Sequence, residues 1–231
     1  MTDKKLINKA HETLAFGVLL AIVGGLLDAY TFVGRGGVFA NAQTGNIVLL
    51  GVYASKKDWN QVLIYTAPIV AFIVGVIVAE WIKNNSSRYL ILDWKREVLI
   101  LEMIVLFIIG FLPASTSNFI VTVTISFVAS VQVSSFRKLK DTPYNTTMCT
   151  GNLRTASQAA YIAITKKDKN SRTIALHFLI IIVSFLIGAL LGGIFTLRLG
   201  GKAVWGAVIL LALAVLLLNI YEKQGIAYVE K

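Results

Sequence analysis

Long apolar runs alternate with short polar breaks along most of this chain, and the runs fall into two length classes. Six are long enough, or nearly so, to cross a bilayer at about 20 residues per helix: 14–33, 62–82, 98–112, 118–136, 174–197 and 203–221. The 98–112 run is the shortest, with Trp94 before it and Pro113 after it as interface markers. Two further segments, 44–55 and 150–165, are helical in character but too short to span alone at 1.5 Å per residue.

Both short segments open on the same tripeptide, Thr44-Gly45-Asn46 and Thr150-Gly151-Asn152. With ordinary residue usage such a tripeptide is expected roughly once in several thousand positions, so two copies in matching surroundings indicate duplication. The flanks agree. Ser55-Lys56-Lys57-Asp58 follows the first copy and Thr165-Lys166-Lys167-Asp168 the second. Upstream, Asp28-Ala29-Tyr30-Thr31-Phe32 aligns with Gln132-Val133-Ser134-Ser135-Phe136, and the offset between halves stays near 104 to 110 residues.

Loop charge decides how the short segments run. If they cross, eight crossings leave 11 Lys and Arg inside and 10 outside; if they turn back, six crossings with both termini cytoplasmic leave 16 inside and 5 outside, Arg154 set aside. Cytoplasmic loops carry the basic excess, so the segments are expected to turn back. Three crossings per half is an odd number, which gives the halves opposite orientations. The expected fold is an all-α membrane protein of six transmembrane helices plus two re-entrant half-helices, built as two inverted 3+3 repeats. Residues 1–13 form a cytoplasmic N-terminal segment, 14–112 the first repeat, 113–221 the second and 222–231 a cytoplasmic tail, in one integrated membrane domain. Gly34-Arg35-Gly36-Gly37 and the stretch Asp141 to Thr147 are the expected extended arms leading inward. Non-helical backbone is tolerated at that depth only where protein buries it or it lines a wet cavity.

Composition agrees with this solvent. The chain is 56% hydrophobic and 15% charged with a mean hydropathy of +0.73, which leaves too little polar surface for a soluble domain. Its net charge of +10 is spread over short loops, so it reads as insertion topology with secondary anionic-lipid contact rather than nucleic-acid binding. Lys4, Lys5 and Lys9 before an apolar run, with Ala40-Asn41-Ala42 downstream, resemble a signal peptide. The run is too long for that, contains Asp28 and has an internal counterpart, so it is expected to be the first membrane helix. The single Cys149 excludes an intramolecular disulfide and points to no metal or redox site. His11 and His177 lie far apart, and neither zinc spacing nor a Walker-type phosphate loop is present. Neither a cofactor nor enzyme activity is expected.

The repeated tripeptide has chemistry suited to a site. Thr44 and Thr150 are expected as N-caps, Gly45 and Gly151 allow close backbone approach, and Asn46 and Asn152 bring donors and acceptors together. If the half-helices point their N-termini at the midplane from opposite faces, two positive dipole ends converge on one spot suited to an anion or polar acceptor. The bland alternative is capping and tight packing alone. Asp28, an ionisable residue inside a membrane span, is a functional candidate by default; its counterpart Gln132 is polar but not titratable. Asp28 is expected to couple or gate, with Arg35 as a candidate partner and a hydrogen-bonded structural role as the alternative. Arg154, one turn into the second half-helix, either counters a substrate's charge or snorkels to the surface. Glu80 and Glu102 are expected at interfaces, His177 in a structural role, and Cys149 as a reporter beside Thr150. Trp59, Trp81, Trp94 and Trp205 fall near span ends. Gly188, Gly192 and Gly193 make a small-residue face for a helix contact, within the monomer or between protomers.

Three stretches carry a family resemblance: Gly25-Leu26-Leu27-Asp28-Ala29-Tyr30, Gly36-Gly37-Val38-Phe39-Ala40-Asn41-Ala42-Gln43-Thr44-Gly45-Asn46, and Met148-Cys149-Thr150-Gly151-Asn152-Leu153-Arg154-Thr155. Together they resemble the YoaK-like family of bacterial membrane proteins, a domain of unknown function, over nearly the whole chain. The resemblance implies a bacterial cytoplasmic membrane location and supplies no substrate. Facing half-helices in inverted halves also look like the layout of nucleobase and sulfate carriers, at the level of fold alone. The expected function is a secondary transporter of a small anionic or polar solute, proton-coupled through Asp28. Binding is expected from Thr44, Gly45, Asn46, Thr150, Gly151, Asn152 and Arg154. A passive channel and a non-transporting scaffold or sensor are the alternatives, and the expected partners are the solute, the lipid bilayer and a second copy of the chain.

Overall fold

A computed structural model describes residues 11–89, 94–139, 142–147 and 149–223. The rest of the expected terminal segments, residues 1–10 and 224–231, together with Asp141 and Met148, lie outside the described residues. The chain is almost wholly helical: α1 (Leu14–Gly34), α2 (Gln43–Ser55), α3 (Trp59–Tyr89), α4 (Trp94–Ile109), α5 (Asn118–Ser135), α6 (Cys149–Lys166), α7 (Lys169–Leu199) and α8 (Trp205–Lys223). A 3-10 turn, Gly200–Val204, joins α7 to α8, and two short strands, β1 (Lys138–Leu139) and β2 (Thr142–Pro143), pair antiparallel between α5 and α6.

Among the described residues, four stretches are long and apolar enough to cross a membrane: Leu14–Gly34, Trp59–Asn85, Asn118–Ser135 and Lys169–Tyr221. The last contains both of the final two expected spans, separated by the turn at Gly200–Val204. Helix α4 has 16 residues, about 24 Å of rise, and falls short of that length. Burial separates the helices further. Within their apolar windows α1 is 67% buried and Asn118–Ser135 is 61% buried, against 22% for each of the other two stretches. Helices α1 and α5, which carry Asp28 and Gln132, therefore form the middle of the bundle, and the others cover them.

Small residues set the tightest contacts. A Cβ at Gly25 would lie 2.1 Å from the Phe185 carbonyl oxygen, and one at Gly188 the same distance from that of Ile22. Only glycine lets α1 and α7 approach so closely, as is common between membrane helices. Gly188 and Gly192 thus serve a contact inside the monomer, whereas Gly193 faces open space. Gly188 meets Ile22, Gly192 meets Leu26 and Thr196 meets Gly34, so the two helices run parallel. Helices α3 and α5 do likewise. Gly75 meets Phe127 and Ser130, and Glu80 meets Arg137 at 3.6 Å further along both.

The ends of the bundle follow from side-chain contacts. At one end His11, just before α1, bonds Lys95 at the start of α4, and Phe16 packs its ring 5.1 Å from that of Phe136, just past α5. At the other, the Tyr30 hydroxyl donates to the Gly201 carbonyl at 3.3 Å, and Trp205 Nε1 donates to the Phe107 carbonyl at 3.1 Å. The turn after each short helix is shared in detail. Lys57 and Lys167 both adopt the left-handed conformation, at φ 58° and 53°, one that costs a non-glycine residue roughly 1–2 kcal/mol. Asp58 and Asp168 then accept backbone N–H bonds from the first turns of α3 and α7.

Candidate functional site

Two non-helical arms run along α1 and stop at the same place. The first leaves the end of α1 at Arg35 and turns through Gly36 and Gly37, whose φ of 91° and 78° favour glycine. It then stacks Phe39 on Phe32 with centroids 4.7 Å apart. Further along, the Asn41 N–H donates to Asp28 Oδ1 at 2.6 Å, and the Asn41 side-chain amide donates to the Gly24 carbonyl at 3.3 Å. The second arm leaves the end of α5 at Phe136. Leu139 and the Tyr144 hydroxyl reach Gly17, and Thr147 reaches Gly24, where a Cβ would lie 2.5 Å from the threonine methyl. Gly24 is the middle residue of Leu14–Gly34. The arms approach it from opposite ends of α1.

Each arm is pinned to the short helix that follows it by the asparagine of the tripeptide. Asn46 accepts from the Phe39 N–H at 3.0 Å and donates to the Phe39 carbonyl at 2.8 Å, with a further bond to Gln43. Asn152 donates to the Asn145 carbonyl at 2.6 Å. In both halves the bond spans seven residues. Asn46 is the buried residue of α2, and Asn152 and Ala159 are those of α6. These amides are thus spent on the fold, holding backbone groups whose exposure without a partner would cost about 1–3 kcal/mol each.

The threonines stand elsewhere than expected. Residue Ala42 occupies the N-cap of α2 with no side-chain cap bond, which puts Thr44 second in its helix, as Thr150 is second in α6. Their caps were expected because Thr precedes a helical stretch; the helices instead begin at Gln43 and Cys149, one residue before each threonine. Both threonines are exposed, as is Gly151, while Gly45 is half-buried with its α-carbon against the Phe39 ring. Arg154 is exposed on α6.

Asp28 is buried, and its Oδ2 has no hydrogen-bond partner. The backbone of Ala40 and Ala42 faces the same carboxylate, and Cys149 at the start of α6 lies within reach of its charge. Arg35 does not pair with it. Its guanidinium bonds the Tyr30 hydroxyl at 2.8 and 3.1 Å, because the helix carries Tyr30 toward the end where Arg35 emerges. Asp28, the two arms and the starts of both short helices are thus brought together; Arg35, Arg154 and Gln132 are not part of that junction.

Glu102 corrects the sequence reading outright. Expected at an interface, it is 1% exposed, on the face of α4 that buries Val98, Leu99, Leu106 and Ile109. Neither carboxyl oxygen has a hydrogen-bond partner, although the Gln132 amide faces it. Helical spacing of those four apolar residues was the available signal. Glu80, by contrast, is half-buried and pairs with Lys83 at 3.2 Å and with Arg137.

Comparison with known proteins agrees with the membrane reading. The UPF0700 transmembrane protein YoaK of Bacillus subtilis (strain 168) is 29% identical over 138 residues, covering 58% of this chain and 61% of that protein. The chain therefore matches less than two thirds of that relative's length. No solved structure matches. A family model described as "Protein of unknown function (DUF1275)" matches residues 16–217, from within α1 to within α8, and this membrane protein belongs to that family.

Proposed function

We propose that the protein is a secondary transporter of a small polar solute, with its site where the two arms meet at Gly24. The observation that carries this reading is the convergence itself: two stretches of non-helical backbone arrive at mid-helix from opposite ends, beside the buried carboxylate of Asp28. Such backbone is tolerated at membrane depth where it is buried or lines a cavity, and interrupted helices meeting near the midplane are a recurrent transporter feature.

The topology behind the reading is six crossings with α2 and α6 as re-entrant half-helices of inverted repeats. Contacts at the two ends support it. The end of α1 lies by the α7–α8 turn and the end of α4 by the start of α8, while the starts of α1 and α4 lie together near the end of α5. With α3 parallel to α5, the chain alternates direction through α1, α3, α4, α5, α7 and α8. On that path the segment carrying α2 begins and finishes at one end of the bundle, and the one carrying α6 at the other. Packing repeats in the same way: α1 on α7 corresponds to α5 on α3, and α6 on α7 to α2 on α3.

In this assignment Thr44, Thr150 and the positive ends of the two short helices bind the solute. Asp28 couples proton movement to it, and Asn46 and Asn152 hold the geometry. Because no arginine of the sequence reading joins Asp28 at the junction, a neutral or proton-accompanied solute suits it better than a bare anion. The test is a thermal-shift screen of purified protein against nucleobases, small metabolites and inorganic anions, repeated with Thr150→Ala, since a ligand stabilises by mass action. A shift that Thr150→Ala abolishes supports the site. Absence of any shift, or shifts that all survive the substitution, overturns it. With a ligand in hand, saturable, pH-dependent uptake lost in a folded Asp28→Asn variant distinguishes a carrier from a pore.

A further inference from the structure

The first half holds a second buried carboxyl, which the junction does not use. Glu102 lies between Leu99 and Leu106 on the inward face of α4, with both oxygens unpartnered and the Gln132 amide before it. Gln132 is itself only 2% exposed and occupies, in the repeat alignment, the place that Asp28 holds in the first half.

Among the described residues, the elements packed around it offer no counter-charge. Helix α5 has no ionisable residue, and α8 has none before Tyr221. On α3, half-buried Glu80 and exposed Lys83 are paired with each other, and Lys202 of the 3-10 turn is exposed. On α4 itself Lys95, Arg96 and Glu97 sit in the first turn, five or more residues away along the helix. A bare carboxylate among leucines without a cation carries a large desolvation cost, and buried ionisable groups meet that cost by neutralising. A neutral carboxylic acid and a primary carboxamide are complementary: the acid O–H donates to the amide oxygen, and the amide N–H donates to the acid carbonyl.

We propose that Glu102 and Gln132 form an intramembrane proton site, in which Glu102 takes up one proton as a carboxylic acid paired with the Gln132 carboxamide through two hydrogen bonds. The ligand is a proton drawn from water and returned to it. The site lies apart from the arm junction and does not depend on which solute, if any, the protein carries.

Infrared spectroscopy of the protein in lipid vesicles reads this directly, through the carbonyl stretch of a protonated, buried carboxylic acid and its shift in heavy water. The expected result is a band at neutral pH that disappears in Glu102→Gln, persists in Asp28→Asn and moves in Gln132→Leu as the amide partner is lost. It should fade reversibly when pH is raised, with sodium held constant. A band unaffected by Glu102→Gln overturns the proposal, and so does one displaced by sodium at fixed pH, which would make this a cation site. Should Glu102→Gln fail to fold, labelling with a hydrophobic carbodiimide, which attacks protonated buried carboxyls, provides the second measurement on unaltered protein. Adduct mapped to Glu102 and suppressed at high pH supports the site; adduct absent from Glu102 overturns it.

Discussion

In the first half, the polar residue of the central helix, Asp28, turns to its own arm and receives the Asn41 N–H. In the second, the matching Gln132 stands beside Glu102 of α4, and the arm residue Thr147 packs instead on Gly24 of the first half's helix. Three backbone features are shared: the seven-residue asparagine clamp, the left-handed lysine and the aspartate that starts the next helix. What differs is where the ionisable group sits. A fold can repeat its joints while its charges diverge, because the joints answer to backbone hydrogen bonding, whose donors and acceptors every segment carries. A buried carboxyl answers to whatever packs against it.

The largest effect expected on this comparison is at the glycine contacts. Gly188→Leu should leave little monodisperse protein by size-exclusion chromatography, since its Cβ meets a backbone oxygen that cannot swing aside; overpacking of this kind costs about 1–3 kcal/mol or more. Gly75→Leu, at the corresponding α3–α5 contact, should be milder. The Cβ there first meets the Ser130 hydroxyl, which can rotate, although the Phe127 carbonyl limits the relief. Equal losses would mean that the two contacts are not distinguished by what faces the glycine.

Next come the clamps. Asn46→Ala frees both the N–H and the carbonyl of Phe39, whereas Asn152→Ala frees the Asn145 carbonyl. Each should lower thermal stability in detergent by about 1–3 kcal/mol, with Asn46→Ala the larger. The reverse order would show that the second arm leans on its asparagine more heavily than the first.

A smaller contrast, of opposite sign, is expected at the tripeptide glycines. Gly151→Ala meets nothing within 4 Å and should stabilise α6 by roughly 0.5–1 kcal/mol. Gly45→Ala would place its Cβ 2.8 Å from the Phe39 ring and should be neutral or destabilising. If Gly151→Ala gains stability yet loses a ligand-induced shift, solute approaches that open backbone.

The smallest effect is on pH. The Asp168 carboxylate is held below its ordinary pKa, first by the Ser171 hydroxyl and then by backbone N–H groups of Ser171 and Asn170. Its contribution is therefore present above the ordinary carboxylate range, near 4, and is lost as pH falls through the lowered value. Asp168→Asn should flatten that acid limb of the stability curve slightly. An unchanged acid limb would show that the cap adds nothing measurable at this exposed turn.

Much of the frame was legible because it rests on local rules. Apolar runs of bilayer length marked Leu14–Gly34, Trp59–Asn85 and Asn118–Ser135 within a few residues, and the paired Lys-Lys-Asp turns were visible as text before they were visible as matching dihedral angles. The site was less legible. Asn46 and Asn152 stood out, but whether an amide faces a solute or its own arm depends on where the preceding seven residues travel. Glu102 was misread because its distance from the span end suggested an interface, while the neighbours that bury it come from α5 and α8.

The sequence by itself determined that this chain lives in a membrane, that its two halves share a plan, and where its helices are interrupted, since hydropathy and turn chemistry act over a few residues. Only the tertiary structure decided that both arms end at Gly24, that Arg35 belongs to Tyr30 rather than to Asp28, and that Glu102 is enclosed beside Gln132. The arm junction and the enclosure of Glu102 depend on contacts between residues distant in the chain, and the Arg35–Tyr30 bond on where the backbone leaves α1.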